Sequence, residues 1–257
     1  AIVSATSRKG MSGDMTLRLA MWSGPRNIST AMMRAWENRP NCVVVDEPFY
    51  ACYLKETGLK HPMHEAILQE QSSNWSEVAE QLSTEHADVD IYYQKQMTHH
   101  MLPSADLQWC VNLQHCFLIR DPFEVVNSYR EKMQRILIED IGIVRQWELY
   151  QSISEVTGQE VPVVDAAQVL KNPKDTLTAI CDFIGIPFLP QMLNWPKGKR
   201  VSDGVWAPHW YQKVEQSNEF APFEPKVIEL TKEQEAVAEA SMDAYSNLSK
   251  YLLQNNH

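Results

Sequence analysis

Arg26, Ser29 and Thr30 fall within the stretch Trp22-Ser23-Gly24-Pro25-Arg26-Asn27-Ile28-Ser29-Thr30, which follows an alternating apolar run and precedes a helical one. Such a turn can aim successive backbone N–H groups and a helix N-terminus at one anion, while a guanidinium adds charge and two hydroxyls add donors. The chemistry it suits is phosphate binding. An ordinary strand-to-helix turn capped by Ser or Thr is the plain alternative. A second stretch, Arg120-Asp121-Pro122, carries Ser128 eight residues after its arginine. Arg120 leaves the end of an apolar run while Ser128 lies two turns along the next helix, so the pair is spaced to hold a second anion beside the first. Taken singly, Arg120 reads as a surface ion pair and Ser128 as a neutral helix residue; together with the first loop they carry more. Neither stretch is a Walker A loop, because G-x-x-x-x-G-K-[ST] is absent. A third, basic run, Lys197-Gly198-Lys199-Arg200 before Gly204-Val205-Trp206, reads unaided as a solvated turn. His61 and His64 stand at i, i+3, but without a carboxylate and cysteine set they do not make a metal site.

These residues need a scaffold that puts loops at strand ends. Leu17 to Trp22 alternates and then breaks at Ser23-Gly24-Pro25, which predicts strand, turn and helix. Val43 to Val45 ends in Asp46-Glu47-Pro48, and Cys116 to Ile119 ends in Arg120-Asp121-Pro122. Asp121 reads as an N-cap with Pro122 at the first helical position, and the helix is expected over Phe123 to Lys132. Val161-Pro162-Val163-Val164 predicts a strand end or edge because of its proline. Asn172-Pro173 opens a helix that Gly185 and Pro187 close. Thr231 with Gln234 opens a last helix, striped by Val237, Tyr245, Leu248 and Leu252, which packs on the sheet or on a partner. Residues 187–226, rich in Pro and Trp, read as an ordered excursion, a candidate lid. The expected fold class is α/β: a three-layer sandwich with a central, mostly parallel sheet, ligands binding beyond the carboxyl ends of its strands.

Composition bounds the partners. The net charge of −10 over 257 residues excludes a general nucleic-acid binder. No apolar run approaches the ~18 residues of a membrane span, so no membrane partner is expected. Five cysteines, an odd number without C-x-x-C, fit neither a disulfide framework nor a zinc site and point to a reducing, cytoplasmic setting. Residues 1–14 read as a flexible leader and 15–257 as one domain. The terminal stripe also suits a homodimer.

With those motifs in hand, the sequence resembles sulfotransferases that use 3′-phosphoadenosine-5′-phosphosulfate (PAPS), bacterial-type members of the P-loop-like sulfotransferase fold. Pro25-Arg26-Asn27-Ile28-Ser29-Thr30 is similar to the family loop P-[KR]-S-G-[ST]-T that grips the 5′-phosphosulfate. Arg120-Asp121-Pro122 with Ser128 matches the R-[ND]-P segment and distant serine that hold the 3′-phosphate. Lys197, Gly198 and Lys199 with Trp206 are similar to the late R-K-G-x-x-G-x-W segment that closes over the nucleotide. Pro173, Leu177, Ile180, Phe183 and Gly185, after Asp165, resemble a packing feature of the family. The resemblance implies that Ser23 to Thr30, Arg120, Ser128, Lys197, Gly198, Lys199 and Trp206 bind PAPS, with Arg26 also catalytic and no metal required. It makes Glu47 the base for the acceptor's proton and His100 its rival, since Lys95, His99-His100 and Leu102-Pro103 resemble the K-x-H-L-P segment with the spacing off by one. Two positions depart from the pattern. Ile28 stands where the loop usually has Gly, and Ala31 where many members stack a Trp on adenine, a face Trp206 is then expected to supply. The expected activity is sulfuryl transfer from PAPS to a hydroxyl or amine of a small acceptor. The alternatives are a silent nucleotide-binding protein of the same fold and, further off, a P-loop-type kinase.

Overall fold

The computed structural model describes residues 15–254; the expected leader over 1–14 lies outside the described residues. Five strands, β1 (Leu17–Ser23), β2 (Cys42–Asp46), β3 (Ile91–Met97), β4 (Gln114–Ile119) and β5 (Val163–Asp165), form one sheet in the order β2-β3-β1-β4-β5. Every pairing is parallel. A strand buried on both faces alternates its side chains between two cores. In β1, Leu17, Leu19 and Met21 join a core with Met32, Trp36 and Leu177, while Ala20 and Trp22 join the opposite one with Phe117 and Leu149. Helices cover both faces, so all five carboxyl ends open onto one rim.

Sequence and structure part company at several elements. β3 went unread because Gln94-Lys95-Gln96 interrupts its apolar pattern, yet all seven of its residues are buried. Gln94 satisfies its amide on Leu82 O at 2.8 Å, and Lys95 finds carboxylates. The helix after Asp121 runs Pro122–Tyr129, three residues shorter than the expected Lys132 end. Val161 and Pro162 stay outside the ladder, since Pro has no N–H to give; Pro162 O accepts from Phe117 N at 3.0 Å. The last helix divides at Ser241 into Lys232–Ala240 and Met242–Ser249. Its Leu248 is fully buried in the chain's own core, and the tail after it pairs with β5, Leu253 N donating to Val163 O at 2.9 Å. Leu177 and Ile180 are fully buried as expected, but Phe183 is 41% exposed. No helix among the described residues is long and apolar enough to cross a membrane.

Candidate functional site

The turn after β1 leads into α1 (Ser29–Glu37). Ser23 is fully buried, its hydroxyl 3.7 Å from Met97 Sδ, and it anchors the strand end rather than facing the loop. Gly24 and Pro25 pass beside the Ile141-Gly142 backbone, where an added Cβ on Gly24 would sit 3.5 Å from Ile141 O. Asn27 pins the turn: its Nδ2 donates to Leu118 O at 3.2 Å and its Oδ1 accepts from Ile28 N at 2.8 Å. Ile28 keeps an ordinary φ of −90°, so the missing glycine costs nothing there. The left-handed residue is Arg26, with φ 56°, a conformation that non-glycine residues hold mainly where function or packing demands it. Helix α1 has no side-chain cap, whereas Asp121 caps the Pro122–Tyr129 helix by accepting from Phe123 N at 2.8 Å. The first amides of α1, from Ser29 and Thr30 on, therefore keep their donors for an outside anion.

Two segments about a hundred residues apart meet at this turn. Arg26 Nε donates to Ser128 Oγ at 3.0 Å, and Arg120 Nη1 donates to Arg26 O at 2.5 Å. Arg26 has no carboxylate in ion-pair range among the described residues, and its guanidinium lies 6.0 Å from the Tyr129 ring centroid. Among the described residues the one carboxylate in ion-pair range of Arg120 is Glu124, at 3.6 Å, with both side chains partly exposed. The corner therefore holds two cations and a hydroxyl with little negative charge to cancel them, which is the donor set a phosphate needs.

Beside it lies a buried network that local sequence reading missed. Lys95 Nζ, 2% exposed as a residue, reaches Thr30 Oγ1 at 3.0 Å, Glu47 Oε2 at 3.0 Å and Asp46 Oδ1 at 3.2 Å. Its Nζ also donates to Tyr211 OH at 2.5 Å. That hydroxyl accepts a second bond from Trp206 Nε1 at 3.0 Å and has one proton to give, toward Asp46 Oδ2 at 2.7 Å. Gly204 N donates to the same carboxylate at 3.0 Å. Burial pushes the Asp46 carboxyl up from its ordinary value, with Lys95 pulling the other way. For Lys95, burial works against the ammonium, but Asp46 and Glu47 outweigh it and the ammonium titrates above its usual range. Glu47 also sits at a left-handed φ of 45°, held by its N–H on Lys95 O at 2.9 Å and its C=O on Gln71 Nε2 at 3.0 Å. Its Oε2 accepts from Lys95 Nζ, with the Tyr211 hydroxyl oxygen 3.2 Å away, and its Oε1 accepts no bond among the described residues. Lys95 was named from the sequence only within the segment around His100; the polar run in β3 was the available signal for its burial among carboxylates. Tyr211, over a hundred residues on, had none.

The remaining expected residues lie elsewhere. His100 is 1% exposed in the turn Thr98–His100, with neither ring nitrogen partnered among the described residues and its ring 4.6 Å from Tyr50. Burial drives its imidazole well below the ordinary range, and holds neighbouring His99 at about 4. Lys197 and Lys199 are exposed, flanking Gly198, whose φ of 114° makes the turn and whose N–H donates to Glu215 O at 2.7 Å. Trp206, expected to offer a face to adenine, is 1% exposed instead. Its indole is spent on Tyr211 OH and on the Tyr50 ring 5.1 Å away, as an inner wall of the carboxylate network. The 187–226 excursion docks on α1 through Arg34, which binds Asp203 bidentately at 2.5 and 2.8 Å.

Comparison with known proteins follows the same outline. The profile of the family described as Sulfotransferase domain matches residues 17–250. Two Arabidopsis thaliana proteins named branched-chain-amino-acid aminotransferase-like protein 1 and 2 are 32% and 28% identical over 200 residues. That is 78% of this chain but 36% and 35% of theirs, so the chain spans about a third of the length of these relatives. Among solved structures, the sulfotransferase domain from the curacin biosynthetic pathway superposes with a TM-score of 0.50 at 15% identity, over 88% of this chain and 97% of that one. A sulfotransferase from Alicyclobacillus acidocaldarius gives 0.51 at 10% identity, over 91% and 94%. At these identities the structures share the fold. With the family profile running from the first residue of β1 to the end of the last helix, the chain belongs to the sulfotransferase domain family.

Proposed function

We propose that this chain moves a sulfuryl group from PAPS to a hydroxyl or amine of a small acceptor. The observation that carries the reading is the meeting of Arg26, Arg120 and Ser128 in one corner beside the uncapped start of α1. That corner fits a doubly phosphorylated nucleotide, because its donors are not consumed by carboxylates. When bound, PAPS supplies a sulfuryl group activated on a phosphate leaving group. Arg120 and Ser128 hold the 3′-phosphate, and the exposed Lys197 and Lys199 add positive charge around the nucleotide. Arg26 and the first amides of α1 hold the phosphosulfate end and offset the charge that grows on its bridging oxygen. Transfer is otherwise a matter of positioning, as in phosphoryl chemistry. The acceptor oxygen or nitrogen bonds to sulfur, the bond from sulfur to the bridging oxygen breaks with its electron pair leaving on phosphate, and Glu47 takes the acceptor's proton on its open Oε1. Lys95 ties the two halves together, since one ammonium bonds both Thr30 and Glu47.

The test is release of adenosine-3′,5′-bisphosphate from PAPS across a panel of small hydroxyl and amine acceptors. Glu47→Gln is expected to lower turnover by about a hundredfold or more while leaving donor affinity within twofold, the range general-base removal gives. Unchanged turnover in that variant contradicts the assignment of the base. Bisphosphate binding without transfer to any acceptor would leave a nucleotide-binding protein.

A further inference from the structure

Asp46 and Glu47 are neighbours in the chain and both reach Lys95, so residue type alone does not say which of them takes a proton. Their partners differ. Asp46, its side chain 1% exposed, accepts from Gly204 N at 3.0 Å on Oδ2 and has Lys95 Nζ 3.2 Å from Oδ1. The Tyr211 hydroxyl oxygen lies 2.8 and 2.7 Å from its two oxygens. Glu47, its side chain 10% exposed, meets Lys95 at 3.0 Å and the same hydroxyl oxygen at 3.2 Å, both on Oε2. A tyrosine hydroxyl has one O–H and two lone pairs. Lys95 Nζ and Trp206 Nε1 donate to it at 2.5 and 3.0 Å and occupy the lone pairs. Its single proton therefore goes to the nearer carboxylate, Asp46.

We propose that Tyr211 is a positioning residue: by giving its one proton to Asp46 and holding Lys95 on its oxygen, it leaves Glu47 as the carboxylate free to take the acceptor's proton. The proposal rests on the transfer reading above and supplies the reason for the choice of base. Tyr211 sits at the joint between the short helices Ala207–Trp210 and Gln212–Glu215, its N–H donating to Ala207 O at 2.8 Å and its C=O accepting from Glu215 N at 2.9 Å. It is 5% exposed, with Lys95 Nζ 4.6 Å from its ring centroid. The three N–H groups of Lys95 are occupied by Thr30, Glu47 and Tyr211. Without the phenol oxygen the third turns to Asp46, already 3.2 Å away, while Asp46 loses its O–H donor. More carboxylate charge is then left uncancelled, and the Asp46–Glu47 pair takes up its first proton at higher pH. Other groups face this pair. Arg34, locked on Asp203, and Tyr93 face Asp46; Tyr50, His61 and His99 face Glu47; His100 faces Lys95. Burial raises both phenols and lowers all three imidazoles. They are common to the native chain and a Tyr211 variant, so a difference between the two pH profiles belongs to the hydroxyl.

The test is the pH profile of kcat for Tyr211→Phe and the native chain, followed as release of adenosine-3′,5′-bisphosphate from PAPS with the fastest acceptor of the panel above. The phenylalanine keeps the ring beside Lys95 and removes only the hydroxyl. The acid limb is expected to move up by about one pH unit, which lowers kcat about tenfold on its acid side, the scale of one hydrogen bond to a charged group. On the alkaline plateau kcat is expected to recover to within about threefold, with bisphosphate affinity within about twofold throughout. Adding Asp46→Asn to Tyr211→Phe removes the uncancelled charge and is expected to reverse at least about half of the shift. A limb that stays in place, or a loss equal at every pH, overturns the proposal. Should Tyr211→Phe fail to bind the bisphosphate, the phenolic proton of the otherwise native chain decides. Its magnetic resonance signal is expected to move further in Asp46→Asn than in Glu47→Gln, and the reverse order overturns the proposal. A native chain that binds the bisphosphate and transfers to no acceptor would instead count against the transfer reading, with the phenolic proton still reporting on Tyr211.

Discussion

Arg26 and Arg34 lie eight residues apart, one just before α1 and one within it, and the fold uses them in opposite ways. Arg34 is sealed in, its side chain 0% exposed and locked on both oxygens of Asp203, which is 4% exposed. Burial works against its guanidinium, and Asp203 outweighs that cost. Arg26 keeps its charge: it bonds a hydroxyl, receives Arg120 on its carbonyl, and meets no carboxylate among the described residues. A buried ion pair is a structural device whose charge is used up. An arginine pair joined through a hydroxyl and a carbonyl, with Glu124 at 3.6 Å from Arg120 as its one carboxylate among the described residues, keeps charge to offer a ligand, and sequence alone does not tell the two apart.

The largest expected effect breaks the comparison from the structural side. Arg34→Ala strands the Asp203 carboxylate in the interior and is expected to cost about 3–5 kcal/mol in chemical denaturation. Arg26→Ala is expected to change stability by less than about 1 kcal/mol, while sulfuryl transfer falls by about a hundredfold or more, the scale of one lost donor to developing charge. Equal stability losses in the two variants would erase the distinction. Acid separates the regions more gently. His99 and His115 are held at about 4 in the fold, in both cases chiefly by burial, against about 6.5 unfolded. Below pH 6.5 the unfolded chain binds more protons than the folded one, so stability is complete above that point and falls as pH drops toward 4. By pH 5 each histidine is expected to remove on the order of 1–2 kcal/mol, read as a falling denaturation midpoint.

What could be read from the sequence follows where local chemistry decides. The turns after β1 and β4 were legible because Gly24-Pro25 and Asp121-Pro122 dictate chain direction by themselves, and the caps at Asn172 and Thr231 formed as read. β3 was not, because the satisfaction of Gln94 and Lys95 comes from Leu82, Asp46, Glu47 and Tyr211, which no local window contains. The same holds at the site. Motif spacing named Arg26, Arg120 and Ser128, which the fold brings together. It offered nothing for Tyr211, and it took Trp206 for a surface face when packing against Tyr50 buries it. Ile28 was read as a departure from the family's glycine, yet the left-handed turn falls two residues earlier, on Arg26.

The central claim is that Arg26 and Arg120 form one anion corner spaced for a nucleotide phosphorylated at both ends. Calorimetry of adenosine-3′,5′-bisphosphate and adenosine-5′-monophosphate against the native chain and Arg120→Ala, with and without magnesium, tests it most directly. The account predicts that the bisphosphate binds at least about tenfold tighter than the monophosphate without magnesium, and that Arg120→Ala removes most of that advantage, as loss of a charge-assisted phosphate contact should. Equal affinity for the two nucleotides in the native chain would contradict it.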